Sequence, residues 1–161
     1  MKIKPDNAPN GDDQLLLLGN KSTGSYSLKW MLYVGTGNGA YFNIQNSETA
    51  GQQFNGEFYL YPDGTGAAII VVNNAPVVVG KCTYTQAQWI PVEMNFDLDN
   101  NVAKVYVGGQ LLRGWTYPGN IGGIDFYSAA AEYTFYVDQV EYVGLPAVTF
   151  DVDKCEAAVD I

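Results

Sequence analysis

Three features of the sequence predict an all-β fold, an antiparallel β-sandwich or jelly roll of about eleven or twelve strands. Apolar and polar residues alternate with a period of two along most of the chain, which places successive side chains on opposite sheet faces. Helical periodicity is nearly absent. Turns rich in glycine and asparagine recur at intervals of about 8–12 residues.

The strands follow in order. Ser25–Val34 sets Tyr26, Leu28, Trp30, Leu32 and Val34 against Ser27, Lys29, Met31 and Tyr33. Gly35-Thr36-Gly37-Asn38-Gly39 turns the chain, because glycine and asparagine reach positive φ at little cost. Ala40–Gln45 puts Ala40, Phe42 and Ile44 opposite Tyr41, Asn43 and Gln45. A strand over 54–61 is closed by Pro62-Asp63-Gly64-Thr65-Gly66, a hairpin signal. The runs 67–72 and 77–84 are almost continuously apolar, and both are expected to be covered on two faces or to sit in the sandwich core. Residues 89–98 alternate cleanly, with Val92, Met94, Phe96 and Leu98 inward and Glu93, Asn95 and Asp97 outward. Val102–Val107, 110–117, 121–128 and 133–143 complete the set, with a further strand expected at 147–152. Ala129-Ala130-Ala131 allows one helical turn at most. Residues 1–13 read as a loose arm, 14–143 as one domain, and 144–161 as an extension that adds a strand or leads to a neighbouring domain.

Composition excludes several chemistries. The 161 residues carry 17 Asp and Glu against 8 Lys and Arg, a formal charge of −9, with no basic cluster for a nucleic acid. There is no histidine, which removes Ser-His-Asp and Cys-His catalysis and His-ligated zinc. The glycine-rich turn at 35–39 precedes no helix and lacks a Gly-Lys-Ser/Thr ending, so it is no phosphate loop. No apolar stretch approaches the ~20 residues of a membrane span, and membrane insertion is not expected. The first residues show no signal-peptide run, so the chain is expected to be soluble as given, either mature or cut from a longer protein. Abundant Tyr and Gly with scarce Lys suggest a secreted or cell-surface β-domain. Cys82 and Cys155 leave two readings open. One is a disulfide closing a loop of about 74 residues, valued at roughly 4 kcal/mol by the chain-entropy account; the other is two buried thiols.

Several segments in order carry a family resemblance. They are Gly19-Asn20-Lys21-Ser22-Thr23-Gly24-Ser25-Tyr26-Ser27-Leu28, Gly39-Ala40-Tyr41-Phe42-Asn43-Ile44-Gln45, and Phe58-Tyr59-Leu60-Tyr61-Pro62-Asp63-Gly64-Thr65-Gly66. Gln88-Trp89-Ile90-Pro91-Val92-Glu93, Phe96-Asp97-Leu98-Asp99-Asn100, Val105-Tyr106-Val107-Gly108-Gly109, Gly123-Ile124-Asp125-Phe126-Tyr127 and Tyr136-Val137-Asp138-Gln139-Val140 follow. Together they resemble the LamG-like, concanavalin A-like lectin and glucanase jelly-roll domains of secreted Bacteroidetes multidomain proteins, over roughly residues 14–143. The resemblance implies two curved antiparallel sheets, often with carbohydrate bound on the concave face, and a place in a larger multidomain protein. Such modules often hold a structural Ca²⁺ through an Asp in the last strand and oxygens near the N-terminus. Asp138 matches that position, and Asp13, Asp12 and Asn20 are candidate partners, although Gln139 stands where a second Asp is common. No other cofactor is expected.

Carbohydrate binding needs aromatic platforms beside planar hydrogen-bonding side chains. Candidates that share a strand face are Tyr41, Asn43 and Gln45; Glu57, Tyr59 and Tyr61; Glu93 and Asn95; Arg113 and Trp115; and Asp125 and Tyr127. Among tryptophans, Trp30 is expected in the core and Trp89 across an edge. Trp115, between Gly114 and Thr116, is the candidate exposed platform, with core burial the favoured alternative. Glycoside hydrolysis needs two carboxyl groups about 5–9 Å apart. The Glu-x-Asp-x-x-Glu strand of jelly-roll glucanases is missing, and Glu93 and Asp97 lie roughly 13 Å apart along an extended strand. The expectation is therefore a non-catalytic extracellular glycan-binding module. The alternatives are a structural, adhesion or protein-binding module and, behind it, a divergent glycoside hydrolase.

Overall fold

The computed structural model describes residues 1–5, 12–72 and 75–146. The strands are β1 (Lys2–Ile3), β2 (Asp13–Lys21), β3 (Ser25–Val34), β4 (Ala40–Gln45), β5 (Phe54–Leu60), β6 (Thr65–Val72), β7 (Ala75–Thr83), β8 (Trp89–Asp97), β9 (Val102–Val107), β10 (Gln110–Thr116), β11 (Ile121–Tyr127) and β12 (Phe135–Leu145). They form two six-stranded antiparallel sheets. The first runs β1-β12-β3-β8-β9-β10 and the second β2-β11-β4-β5-β6-β7. The chain is an antiparallel β-sandwich, as the alternation predicts.

The inward faces meet in one apolar core. Leu28, Trp30 and Leu32 of β3 and Val92, Met94 and Phe96 of β8 face Phe42 and Ile44 of β4, Phe58 of β5 and Phe126 of β11. Trp30 binds the layers together: its ring meets Phe42 edge-on at 5.0 Å and Phe126 at 5.5 Å. Such edge contacts suit the ring quadrupole and add to the burial of a large apolar surface.

Three expectations are corrected. The chain start is no loose arm throughout: Lys2 and Ile3 pair with Tyr136 and Phe135, and the Ile3 side chain is fully buried. A strand, β2, runs over Asp13–Lys21, ahead of Ser25–Val34, the first strand expected. Leu16 and Leu18 turn inward there, while Leu17 is exposed. The hairpin of β6 and β7, expected to be covered on both sides, ends in the open. Val71, Val72, Val77 and Val78, at the far end of the hairpin, are exposed. The expected strand at 147–152 lies outside the described residues.

Candidate functional site

Strand register turns separate pairs of residues into one surface. On the outer face of the second sheet, Asp125 of β11 stands opposite Asn43 of β4, which stands opposite Glu57 of β5. In the neighbouring row Asp13 of β2 faces Tyr127, and Tyr41 faces Tyr59. Gln45 lies beyond Asn43 on the same face, opposite Gly123 and Phe54. Asp13, Tyr41, Asn43, Gln45, Glu57, Tyr59, Asp125 and Tyr127 line a depression of about 390 Å³, joined by Ala50 and Gly51 from the loop after β4. A larger one, about 770 Å³, lies near the β6–β7 edge, where Lys81 is the one charged residue and no carboxylate is found among the described lining residues. The chemistry is concentrated in the smaller depression.

Its aromatic part is a run of tyrosines. Tyr41 packs on Tyr59 at 4.8 Å and on Tyr127 at 6.2 Å, and Tyr59 stacks on Tyr61 at 6.0 Å with rings 12° apart. The hydroxyls of Tyr41 and Tyr59 both donate to Glu57 Oε1, at 2.9 and 3.3 Å. Burial, then the Glu57 charge, pushes the Tyr59 phenol up to about 12 and raises that of Tyr41 further. Both phenols therefore stay protonated and hold the carboxylate in place.

Its polar part is buried. Asn43 and Gln45 are each 1% exposed, and Asp125 is 7% exposed. Asn43 Nδ2 donates to Asp125 Oδ2 at 3.0 Å. Burial first, then the Asp13 carboxyl beside it, pushes the Asp125 carboxyl up to about 7, with the Asn43 bond opposing the rise. Among the described residues Asn43 Oδ1 and Gln45 Oε1 have no hydrogen-bond partner, while the Asp125 carboxyl meets that of Asp13. A buried acceptor without a donor costs about 1–3 kcal/mol, so this floor is polar at the expense of stability.

Of the residues singled out in the sequence, the depression gathers Tyr41, Asn43, Gln45, Glu57, Tyr59, Asp125 and Tyr127. Others go elsewhere. Glu93 and Asn95 lie on the outer face of the first sheet, where Asn95 donates to Glu93 at 2.9 Å and Lys29 approaches it at 3.9 Å. Arg113 sits in a groove beside Val71 and Val72 at the sandwich edge. Trp115 is no exposed platform: at 7% exposure it packs on Phe58 and Tyr117, and its indole N–H donates to Asn55 O at 2.9 Å.

The proposed calcium ligands do not converge. Asp13 and Asn20 belong to opposite ends of β2, and Asp138 belongs to the other sheet. Asn20 exchanges hydrogen bonds with Glu48, and the Asp138 carboxylate accepts the Gln139 N–H at a bulge where Gln139 has φ 52°. Among the described residues no three Asp, Glu or Cys side chains gather as a metal would require. Cys82 is half-buried on β7, and Cys155 lies outside the described residues. Sequence reasoning assigned Asp13 to a metal and missed its place beside Asp125. It also missed the loop residues Ala50 and Gly51.

No protein-family profile matches the chain, and no curated protein matches it. Solved structures do. A sialidase matches with a TM-score of 0.65 at 12% identity, over 89% of this chain and 15% of the sialidase chain. An alginate lyase, A1-II′, matches with a TM-score of 0.62 at 9% identity, over 89% of this chain and 83% of its own. The carbohydrate-binding module CBM66 from Bacillus subtilis matches with a TM-score of 0.56 at 12% identity, over 83% of this chain and 84% of its own. At such identities the likeness establishes the fold alone, which is the jelly-roll sandwich these proteins share.

Proposed function

We propose that the chain is a non-catalytic glycan-binding module of a larger secreted or cell-surface protein, taking sugar in the depression on β11, β4 and β5. One observation carries the reading. A continuous run of tyrosines borders the Asp13 and Glu57 carboxylates, which line the depression and can accept further donors. Sugar C–H faces stack on such rings, and sugar hydroxyls supply such donors. The carbohydrate-binding module among the similar structures supports the reading by showing the fold in that role.

The test is affinity gel electrophoresis against a panel of soluble polysaccharides, with Tyr59→Ala as the control. Retardation of the wild type that the variant loses supports the site. A panel that retards neither protein removes it and leaves a structural or protein-binding module.

A hydrolytic reading has one observation in its favour. Glu57 and Asp125 flank Asn43 from the two neighbouring strands, a backbone separation of roughly 10 Å, and the raised Asp125 carboxyl suits an acid. Against it, Asp125 is buried and bonded to Asn43, and Glu57 is held by two phenols. Release of reducing ends from a retained polysaccharide would favour hydrolysis over binding.

A further inference from the structure

The depression has a strongly one-sided chemistry. Asp13, Glu57 and Asp125 line it, and among the described residues no Lys or Arg does. Three of the donor side chains there, Tyr41, Tyr59 and Asn43, already donate to carboxylates of the site, which leaves the Tyr127 hydroxyl and the Gln45 amide. The Tyr41 and Tyr59 hydroxyls go to Glu57, and the Asn43 amide goes to Asp125. Acceptors remain in surplus: the Asp13 and Glu57 carboxylates line the depression, and among the described residues the buried Asn43 Oδ1 and Gln45 Oε1 have no partner.

A ligand for such a surface must donate. A hydroxyl brings one O–H, and a protonated amine brings N–H groups with a positive charge. A uronate, sialic acid or sulfate group brings acceptors and negative charge to a place that already has both. Like charge facing like charge, and acceptor facing acceptor, is how a site rejects a wrong partner. We infer that the site selects glycans free of acid groups, neutral or amino sugars, and excludes uronates, sialic acids and sulfated sugars.

This inference rests on the glycan-binding reading and narrows it. The sialidase and alginate lyase folds resemble this one, yet the lining found here is unsuited to an anionic sugar. The net charge of −9 repels polyanions at long range as well, so a local effect has to be separated from a global one.

The experiment is isothermal titration of the whole chain with neutral gluco-, manno- and fructo-oligosaccharides, glucosamine oligomers and oligouronates. Two double variants accompany the wild type. Asp13→Asn with Glu57→Gln removes two charges from the depression. Asp138→Asn with Glu141→Gln removes two from the first sheet, giving the same net charge. The expected result is binding of a neutral or glucosamine oligomer, with oligouronate at least about tenfold weaker, a difference of about 1.4 kcal/mol. Oligouronate binding should rise in the first double variant and not in the second.

Oligouronate binding by the wild type equal to that of neutral oligomers overturns the selectivity and leaves the binding site standing. An equal rise in both double variants also overturns it, since the exclusion would then come from net charge. No heat with any oligosaccharide overturns the binding reading itself.

Discussion

Asn43 and Asp125 stand directly opposite each other on β4 and β11, joined by an amide-to-carboxylate hydrogen bond of 3.0 Å with both side chains buried. The pair is separated by 82 positions in sequence and forms the centre of the depression. A carboxylate here has one good donor and, on its other side, the Asp13 carboxyl. Burying charge without full compensation favours the protonated form.

That relation gives the first prediction. Asp125 is pushed up to about 7, above the value of about 3.9 for a free Asp. Between these values the native chain keeps a proton that the unfolded chain has lost. Stability therefore declines as pH rises from about 4 to about 7 and levels off above. The melting temperature of the wild type should fall across that window more steeply than that of Asp125→Asn, which keeps an acceptor for Asn43 and has no charge to bury. Parallel melting curves for the two proteins from pH 4 to pH 8 would refute the assignment.

Trp115 separates stability from binding. Its ring is packed on Phe58 and Tyr117 inside the sandwich, and its N–H is used by Asn55 O. Trp115→Phe deletes the donor and leaves a gap, at a cost of about 1–3 kcal/mol. Glycan affinity should stay within about twofold of wild type at temperatures where the variant is folded, a difference well under 1 kcal/mol. Urea unfolding and titration calorimetry read the two effects. A stable variant that had lost binding would return Trp115 to the ligand.

What the sequence shows and what it hides follow from the physics of a sheet. Period-two alternation is local, so Tyr41, Asn43 and Gln45 can be read as one face without a structure. Which strands lie side by side is not local. Glu93 and Asn95 have the same alternation as Asp125 and Tyr127, and pairing of β8 with β3 sends them to the opposite sheet. Strand β2 escaped because Leu15-Leu16-Leu17-Leu18 masks alternation: Leu17 is apolar although it faces outward. Asp13, at the start of that strand, was therefore visible as an acid but not as the neighbour of Asp125. The β6 and β7 runs misled as well, since continuous apolar residues suggest coverage on both faces, whereas the far end of this hairpin is exposed.

The exposed valines of that hairpin predict self-association. Val71, Val72, Val77 and Val78 are 40–55% exposed on the last two strands of the second sheet, of which β7 is an edge open to pairing. Val78→Lys adds a charge where little packing is lost, so stability should change by no more than about 0.5 kcal/mol. Light scattering at high protein concentration should fall relative to wild type, with the melting temperature unchanged. Unaltered scattering would locate the sticky surface elsewhere.

Gly122 connects the fold to the depression. It lies on β11, one residue before the partner of Gln45, and a Cβ placed on it would collide with the backbone of Ser47. Backbone cannot yield as the end of a side chain can, so Gly122→Ala must push away the loop that starts at Asn46. That loop is otherwise well anchored. Asn46 N–H donates to Gln53 O at 3.0 Å, and Asn46 Oδ1 accepts from Asn55 and from the Asn120 N–H. It carries Ala50 and Gly51 to the depression. Two effects are expected together: a loss of stability of about 1–3 kcal/mol from overpacking, and weaker glycan binding in the fraction that remains folded. Gly51→Ala is the comparison. No atom lies within 4 Å of its added Cβ, but its φ of +72° strains any other residue. It should lose stability, by about 1 kcal/mol, without displacing the loop. Amide exchange across 46–53 distinguishes the two variants, since protection at Asn46 should drop in Gly122→Ala and persist in Gly51→Ala. Equal protection in both would mean that the close approach of β11 and Ser47 does not hold the loop.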